Sequence, residues 1–200
     1  MPNVSAVKAK FFEPQGADTD IVSAVASATS LVIADAGPYG NLTETITVTS
    51  PSGNNTGITF SIVGTDGNGD AQTETGVTGP AGGATVSFTD KYKTVTSITA
   101  SGGITTSISA GILGTGDLTG VVFAGRTRIR GITGTSKASA GNIVFKNTSI
   151  TGTSLLTIPL TGAVASIDPY IPDNGVLFDA GAYVNLPAAS VTGVTVYYDG

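Results

Sequence analysis

Histidine, cysteine and tryptophan are absent from this chain of 200 residues, and charged residues make up only 12% of it. Without cysteine, the chain has no disulfide framework and no thiol chemistry. Without histidine, it lacks the side chain that most often acts as a general base near neutral pH. We therefore expect a protein that works by contact rather than by reaction, with no enzymatic activity and no cofactor.

The residues that are present favour strands and tight turns. Roughly a quarter of the chain is Ser or Thr, 28 residues are Gly, and the mean hydropathy is +0.27. A packed core is therefore possible, and so sparsely charged an exterior fits either a contact surface in an assembly or the neutral surface of an ordinary β-protein. The net charge of −5 argues against nucleic-acid binding. No apolar run is long enough to suggest a secretory signal or a membrane span.

Apolar residues alternate with Thr and Ser along most of the chain. This period of two is the pattern of half-buried β-strands, and turn residues recur about every 8–12 positions. The clearest alternating segments are residues 45–49, 58–62, 94–99 and 191–198. The pattern predicts an all-β fold with two small β-sandwich-like domains.

Glycines divide the chain near residues 111–120, with about equal lengths of strand pattern on either side. We predict an N-terminal arm at residues 1–30, a β-sandwich at 31–115 and a second sandwich or barrel-like domain at 116–200. Residues 21–30 fit either a short helix or an extended part of the arm.

Two groups of residues are candidates for contact with another protein. Arg126, Arg128 and Arg130 alternate along a predicted strand, so all three side chains should project from one face. Such a row could bind carboxylates of an acidic partner, or it could simply be a solvated strand face. Phe11 and Phe12 are the aromatic residues of the predicted arm, and we expect them to contact a neighbouring subunit.

A turn at residues 66–70 is the best candidate for a metal site, and it is a weak one. Asp66, Asn68 and Asp70 place oxygen ligands at alternate positions, as calcium loops do. However, Ala71 and Val77 stand where such a loop needs Gly and Glu. We therefore expect a β-hairpin turn and no bound metal.

Tyrosines offer the only material for a sugar-binding platform. The candidates are Tyr170, Tyr183, Tyr197 and Tyr198. A carbohydrate-binding or host-adhesion module would present several of them together on its surface. This remains an alternative from a different functional class.

Two sets of strand segments have a pattern found in a known group of proteins. In the first half of the chain, these segments are residues 58–67, 72–75 and 92–100. In the second half, they are residues 128–132, 141–146, 171–184 and 194–198. Both sets resemble small β-modules in virion proteins of tailed bacteriophages.

The resemblance implies a virion structural protein with no catalytic residues to assign. Accessory proteins of this kind often lie on the capsid surface as cement or decoration, commonly as dimers or trimers, and bridge subunits of the major capsid protein. We expect that role and location, with no nucleic-acid or membrane partner. A tail, head–tail connector or fibre component is the alternative within the same class.

Overall fold

The computed structural model of this chain describes residues 6–25, 29–104, 106–172 and 174–200. These residues form β-strands joined by turns and irregular segments, with no helix among them. All pairs of named strands are antiparallel, and the sheets face one another across apolar cores. The predicted all-β, sandwich-like fold class is confirmed.

The strands are numbered in chain order. The first nine are β1 (Lys8–Phe12), β2 (Val22–Val25), β3 (Ser30–Leu31), β4 (Glu44–Ser50), β5 (Thr59–Thr65), β6 (Ala71–Thr78), β7 (Ala84–Tyr92), β8 (Thr94–Ala100) and β9 (Ile108–Ile112). The others are β10 (Asp117–Phe123), β11 (Thr127–Ser136), β12 (Ala140–Asn147), β13 (Ser154–Thr161), β14 (Ser166–Ile167), β15 (Val176–Phe178), β16 (Ala182–Pro187) and β17 (Val191–Asp199).

The described residues fall into two compact units. The first unit comprises the described part of residues 1–14, together with 40–42 and 115–200. The second unit comprises the described parts of residues 15–39 and 43–114. Each unit has its own continuous cluster of buried apolar side chains, as an independent core requires.

Two sheets enclose the core of the first unit. One has the order β1–β17–β11, and β14 and β15 both pair with the far side of β11. The other has the order β10–β16–β12–β13. Alternate residues of facing strands meet between the sheets, among them Ile129, Val196, Phe145 and Leu186.

The second unit repeats this arrangement with different strands. Its sheets have the orders β2–β9–β4–β7 and β3–β8–β5–β6. Ile46, Phe60, Phe88 and Ile98 are fully or almost fully buried between them. The strands predicted from alternation at 45–49, 58–62 and 94–99 correspond to β4, β5 and β8.

The segment predicted as an N-terminal arm is incorporated into both units. Lys8–Phe12 pairs with β17 in the first unit, and Val22–Val25 pairs with β9 in the second. Phe12 anchors β1 because its ring is fully buried, with a Cβ added at Gly120 coming within 2.6 Å of it. The residues of the predicted arm that lie outside the described ranges are 1–5 and 26–28.

The alternative of a helix at residues 21–30 is wrong where the structure describes this segment. Val22–Val25 is a strand, and β3 begins at Ser30. Pairing with β9 satisfies the backbone of the first of these strands, and Ile21 and Val22 are buried in the core. Tertiary burial therefore decides the structure of a segment whose composition fits either state.

Side chains of β6 bind the exposed backbone of β7. The Glu74 carboxylate accepts hydrogen bonds from the backbone N–H groups of Thr89 and Asp90, at 2.9–3.0 Å. The Gln72 amide donates to the Lys91 carbonyl at 3.0 Å. Such contacts occupy backbone groups that an unprotected edge strand would offer to another chain.

Candidate protein-contact face

Two of the three arginines of the predicted row lie on the solvent side of β11. Thr127 and Ile129 point into the first unit and are buried, so Arg128 between them projects outwards, whereas Arg126 lies in the bend before the strand begins. The alternation is interrupted after Ile129, where Arg130 occupies a β-bulge between β11 and β17. Bulges redirect side chains, and this one keeps Arg130 on the outer side.

The three arginines have different neighbours. The Arg126 Nε lies 3.5 Å from Asp179 Oδ1, and both side chains are about 70% exposed. The Arg130 Nε lies 3.5 Å from Asp199 Oδ2 in a less exposed pair. Such surface pairs contribute on the order of 0–1 kcal/mol, so they fix geometry only weakly.

Arg128 is held by the backbone instead of a carboxylate. Its Nη1 donates to the Asn174 carbonyl oxygen at 2.9 Å. A guanidinium has five N–H donors, so this contact leaves most of its binding capacity unused. Within the part of the chain that the structure describes, no carboxylate lies within ion-pair distance of Arg128.

The two phenylalanines predicted as contact residues lie on opposite sides of β1. Phe12 is fully buried in the core, so it is not available to a partner, and its predicted role is wrong for this fold. Phe11 is 48% exposed on the outer side of the sheet. The reason is the strand period of two, which places neighbouring residues on opposite faces.

Tyr197 joins Phe11 on this outer side. Phe11 pairs with Thr195, two residues before Tyr197, so the two residues lie on the same face of the sheet, with the Phe11 ring over Gly193 and the Tyr197 ring over Gly131. Tyr197 is 36% exposed and lies over Gly131, where an added Cβ would be 3.4 Å from the ring. Glycine therefore allows an aromatic ring to lie against the sheet.

Gly193 has the corresponding role beneath Phe11. A Cβ at this position would come within 2.7 Å of the Phe11 ring. We refer to Phe11, Tyr197, Arg128 and Arg130 as the aromatic–arginine face. Aromatic residues and arginine are enriched at protein–protein interfaces, and a sheet holds them in fixed positions.

The sugar-platform alternative receives little support from the positions of the tyrosines. Tyr183 is buried, and Tyr198 packs against the core with its ring 5.9 Å from that of Phe123. Tyr170 is 85% exposed in a loop. The predicted four-residue aromatic group is therefore split between the interior and the surface.

The 66–70 turn is a hairpin connection between β5 and β6. A single oxygen of Asp66 accepts the backbone N–H groups of Asn68, Gly69 and Asp70 at 2.8–3.0 Å. Gly69 has a φ of 94°, a conformation that glycine adopts readily. These contacts account for the Asp and Gly residues through turn geometry. No group of three or more acidic side chains placed to hold a metal occurs among the described residues.

Glu44 is a buried acidic residue whose burial the alternation pattern does not predict. It begins β4, is fully buried, and neither carboxylate oxygen makes a hydrogen bond. Burial, reinforced by the negative charge of Asp18, raises the pKa of Glu44 to about 7, although Lys91 opposes the shift. The Gly114 backbone lies near enough to favour the ionised form slightly without reaching hydrogen-bond geometry. Glu44 can therefore change its protonation state near neutral pH.

No protein-family model matches the chain, and no curated protein and no solved structure matches it either. In the described ranges, no helix is long and apolar enough to cross a membrane. The function proposed below therefore rests on the residues of this chain and their arrangement.

Proposed function

We propose that this chain is a non-enzymatic structural protein of a tailed-bacteriophage virion. In that role it is an accessory capsid protein, of the cement or decoration kind, which stabilises the head shell by bridging subunits of the major capsid protein. The observation that carries the proposal is the aromatic–arginine face, a surface of interface composition on a rigid sheet. The resemblance of both halves of the chain to phage virion modules supports the same class.

Such a face suits a role in which each contact is weak and is repeated by symmetry. Phe11 and Tyr197 present apolar area at little entropic cost, because the glycines beneath them let the rings lie against the sheet. Arg128 adds donors for a carboxylate or a carbonyl group of a neighbour. Many copies on one shell would multiply a modest affinity into a stable assembly.

The location of the protein in the virion tests this proposal most directly. We expect a virion map at modest resolution to show copies of this chain spread over the icosahedral surface. Copies confined to the tail axis would instead favour a tail or connector component. Absence from purified virions, together with reproducible binding on a glycan array, would favour a host-adhesion module.

Binding to shells that lack the protein is a second test. Deleting residues 1–30 is unsuitable, because the deletion removes β1 and β2 and thereby opens both cores. Point substitutions avoid this problem. We expect Phe11→Ala and Tyr197→Ala, singly or together, to weaken binding of the protein to these shells. Leu155→Ala, which truncates an exposed side chain of β13, should leave binding unchanged. Equal effects of these substitutions would argue against a role for the aromatic–arginine face.

A further inference from the structure

The sheet that carries the aromatic–arginine face has a charge opposite to that of the rest of the chain. Its strands contain four basic residues and one acidic residue, Asp199, for a formal charge of +3; Arg128 and Arg130 project from the outer side, whereas Lys8 and Lys10 lie on the side of Phe12. The remaining residues include five basic and thirteen acidic ones, for a formal charge of −8. The overall charge of −5 therefore hides a strong asymmetry.

The negative charge is concentrated in the second unit. That unit has two basic residues, Lys91 and Lys93, against eight acidic ones, for a formal charge of −6. One of the eight, Glu44, is buried. Several of the others lie at the surface, and the exposed carboxylates include Asp20, Asp35, Asp70 and Asp90.

Arg128 is oriented by one hydrogen bond and has further N–H donors that could bind a partner. Its bond to the Asn174 carbonyl orients the guanidinium, while the donors not engaged there can still reach a carboxylate. Tyr197 lies on the same outer side of the sheet, opposite Gly131 and close enough to Arg128 along the strands to help exclude water from such a contact, and Phe11 lies further along the same side. A surface that matches this face must therefore carry acidic groups for the arginines and apolar area against which the two rings can pack.

We propose that the aromatic–arginine face of one copy binds the acidic second unit of another copy. The contact is heterologous, because it joins two different surfaces, and repeating it produces a closed ring or an extended chain. Opposite charges steer the encounter, and the aromatic rings contribute the buried apolar area. This self-association is a property of the chain itself and does not depend on the virion role.

Sedimentation velocity of the purified full chain tests the proposal. At 50 mM salt, we expect the sedimentation coefficient to rise with protein concentration. At 500 mM salt, screening should weaken the association by about tenfold or more. A wild-type chain that remains monomeric at low salt up to several hundred micromolar would overturn the proposal.

Matched substitutions separate this face from a general charge effect. Arg128→Glu and Lys146→Glu change the net charge equally, but Lys146 lies on β12 in the other sheet of the same unit. We expect Arg128→Glu to weaken association at least tenfold and Lys146→Glu to leave it nearly unchanged. Equal weakening by both substitutions would overturn the assignment of the face.

The identity of the complementary surface needs one more variant. Replacing the four exposed aspartates of the second unit (Asp20, Asp35, Asp70 and Asp90) with Asn should weaken association as strongly as Arg128→Glu does. If only Arg128→Glu weakens it, the face pairs with itself or with another surface, and the proposed occupant is wrong. Circular dichroism of each variant verifies that the strands are intact. These results are independent of the virion map, so either proposal can fail alone.

Discussion

Glu44 makes the stability of the second unit depend on pH in a predictable direction. Its carboxylate is fully buried without a hydrogen bond, so the folded chain favours the protonated form. The pKa is raised from 4.5 to about 7, mainly by burial. The full stabilising effect is therefore present below pH 4.5, and it is lost as the pH rises through 7. We predict that Glu44→Gln, which is always neutral, removes this loss.

The magnitude follows from the shift in the pKa. Each pKa unit corresponds to about 1.4 kcal/mol of difference between the two protonation states. The shift of Glu44 therefore corresponds to about 3 kcal/mol between pH 4 and pH 9. The Gln amide has its own cost in this apolar setting, but that cost is the same at every pH. The informative quantity is thus the change with pH in the stability difference between variant and wild type.

Urea unfolding followed by circular dichroism, at several values between pH 4 and pH 9, measures that quantity. We expect Glu44→Gln to become more stable relative to wild type by about 3 kcal/mol across this range. Asp70→Asn is the control, because it neutralises an exposed carboxylate in a turn of the same unit. A difference for Glu44→Gln that stays constant with pH, or that matches the control, would refute the reasoning.

Two further predictions concern β1 and the edge of β7. Phe12→Ala should reduce the free energy of unfolding by about 3–5 kcal/mol, whereas Phe11→Ala should cost much less, and equal losses in urea denaturation would contradict the assigned faces. Glu74→Ala should speed hydrogen exchange at the Thr89 and Asp90 amides at least tenfold by NMR, because both donate to its carboxylate. Glu74→Gln keeps one carbonyl acceptor and should have a smaller effect, so identical exchange in both variants would argue against the edge contact.

Alternation was sufficient to predict the strands that have one buried and one solvated face. Residues 191–198 show this well, because Val194 and Val196 enter the core while Thr195 and Tyr197 remain outside. The pattern fails for β16, where residues 182–184 are all buried and the period of two is lost. A strand that is buried along one stretch cannot be distinguished by period from other apolar segments.

Alternation does not predict β1, for a different reason. Lys8 and Lys10 point to the same side as buried Phe12, so the charged positions occur where alternation requires apolar residues. The structure accommodates them because each ammonium group reaches a carbonyl, Lys8 that of Gly200 and Lys10 that of Val121, at 2.6 Å. Only the tertiary structure brings these acceptors close, since they lie more than a hundred residues away along the chain.

The residues of the candidate face could be predicted only where they lie close together in the sequence. The arginine row could be identified from sequence because its members alternate in the chain, although only Arg128 and Arg130 belong to β11. The sequence alone could not place Tyr197 and Phe11 on the same face as the arginines. β1 and β11 pair with the two opposite edges of β17, and no local pattern predicts that pairing. The glycines beneath the rings carried no signal by themselves, because glycine is common throughout this chain.

Because charged residues are few, each one on this surface has a large effect on the local electrostatic potential. Of the nine basic residues in the chain, four lie on the strands of the five-stranded sheet, and two of these, Arg128 and Arg130, project from its outer side. Reversing Arg128 alone lowers the formal charge of those strands from +3 to +1, whereas the same change on a densely charged surface would be diluted by its neighbours. Thr and Ser cover much of the remaining exterior without adding charge. This low density of charge makes a small aromatic and basic face distinctive, which is the property that a specific contact surface requires.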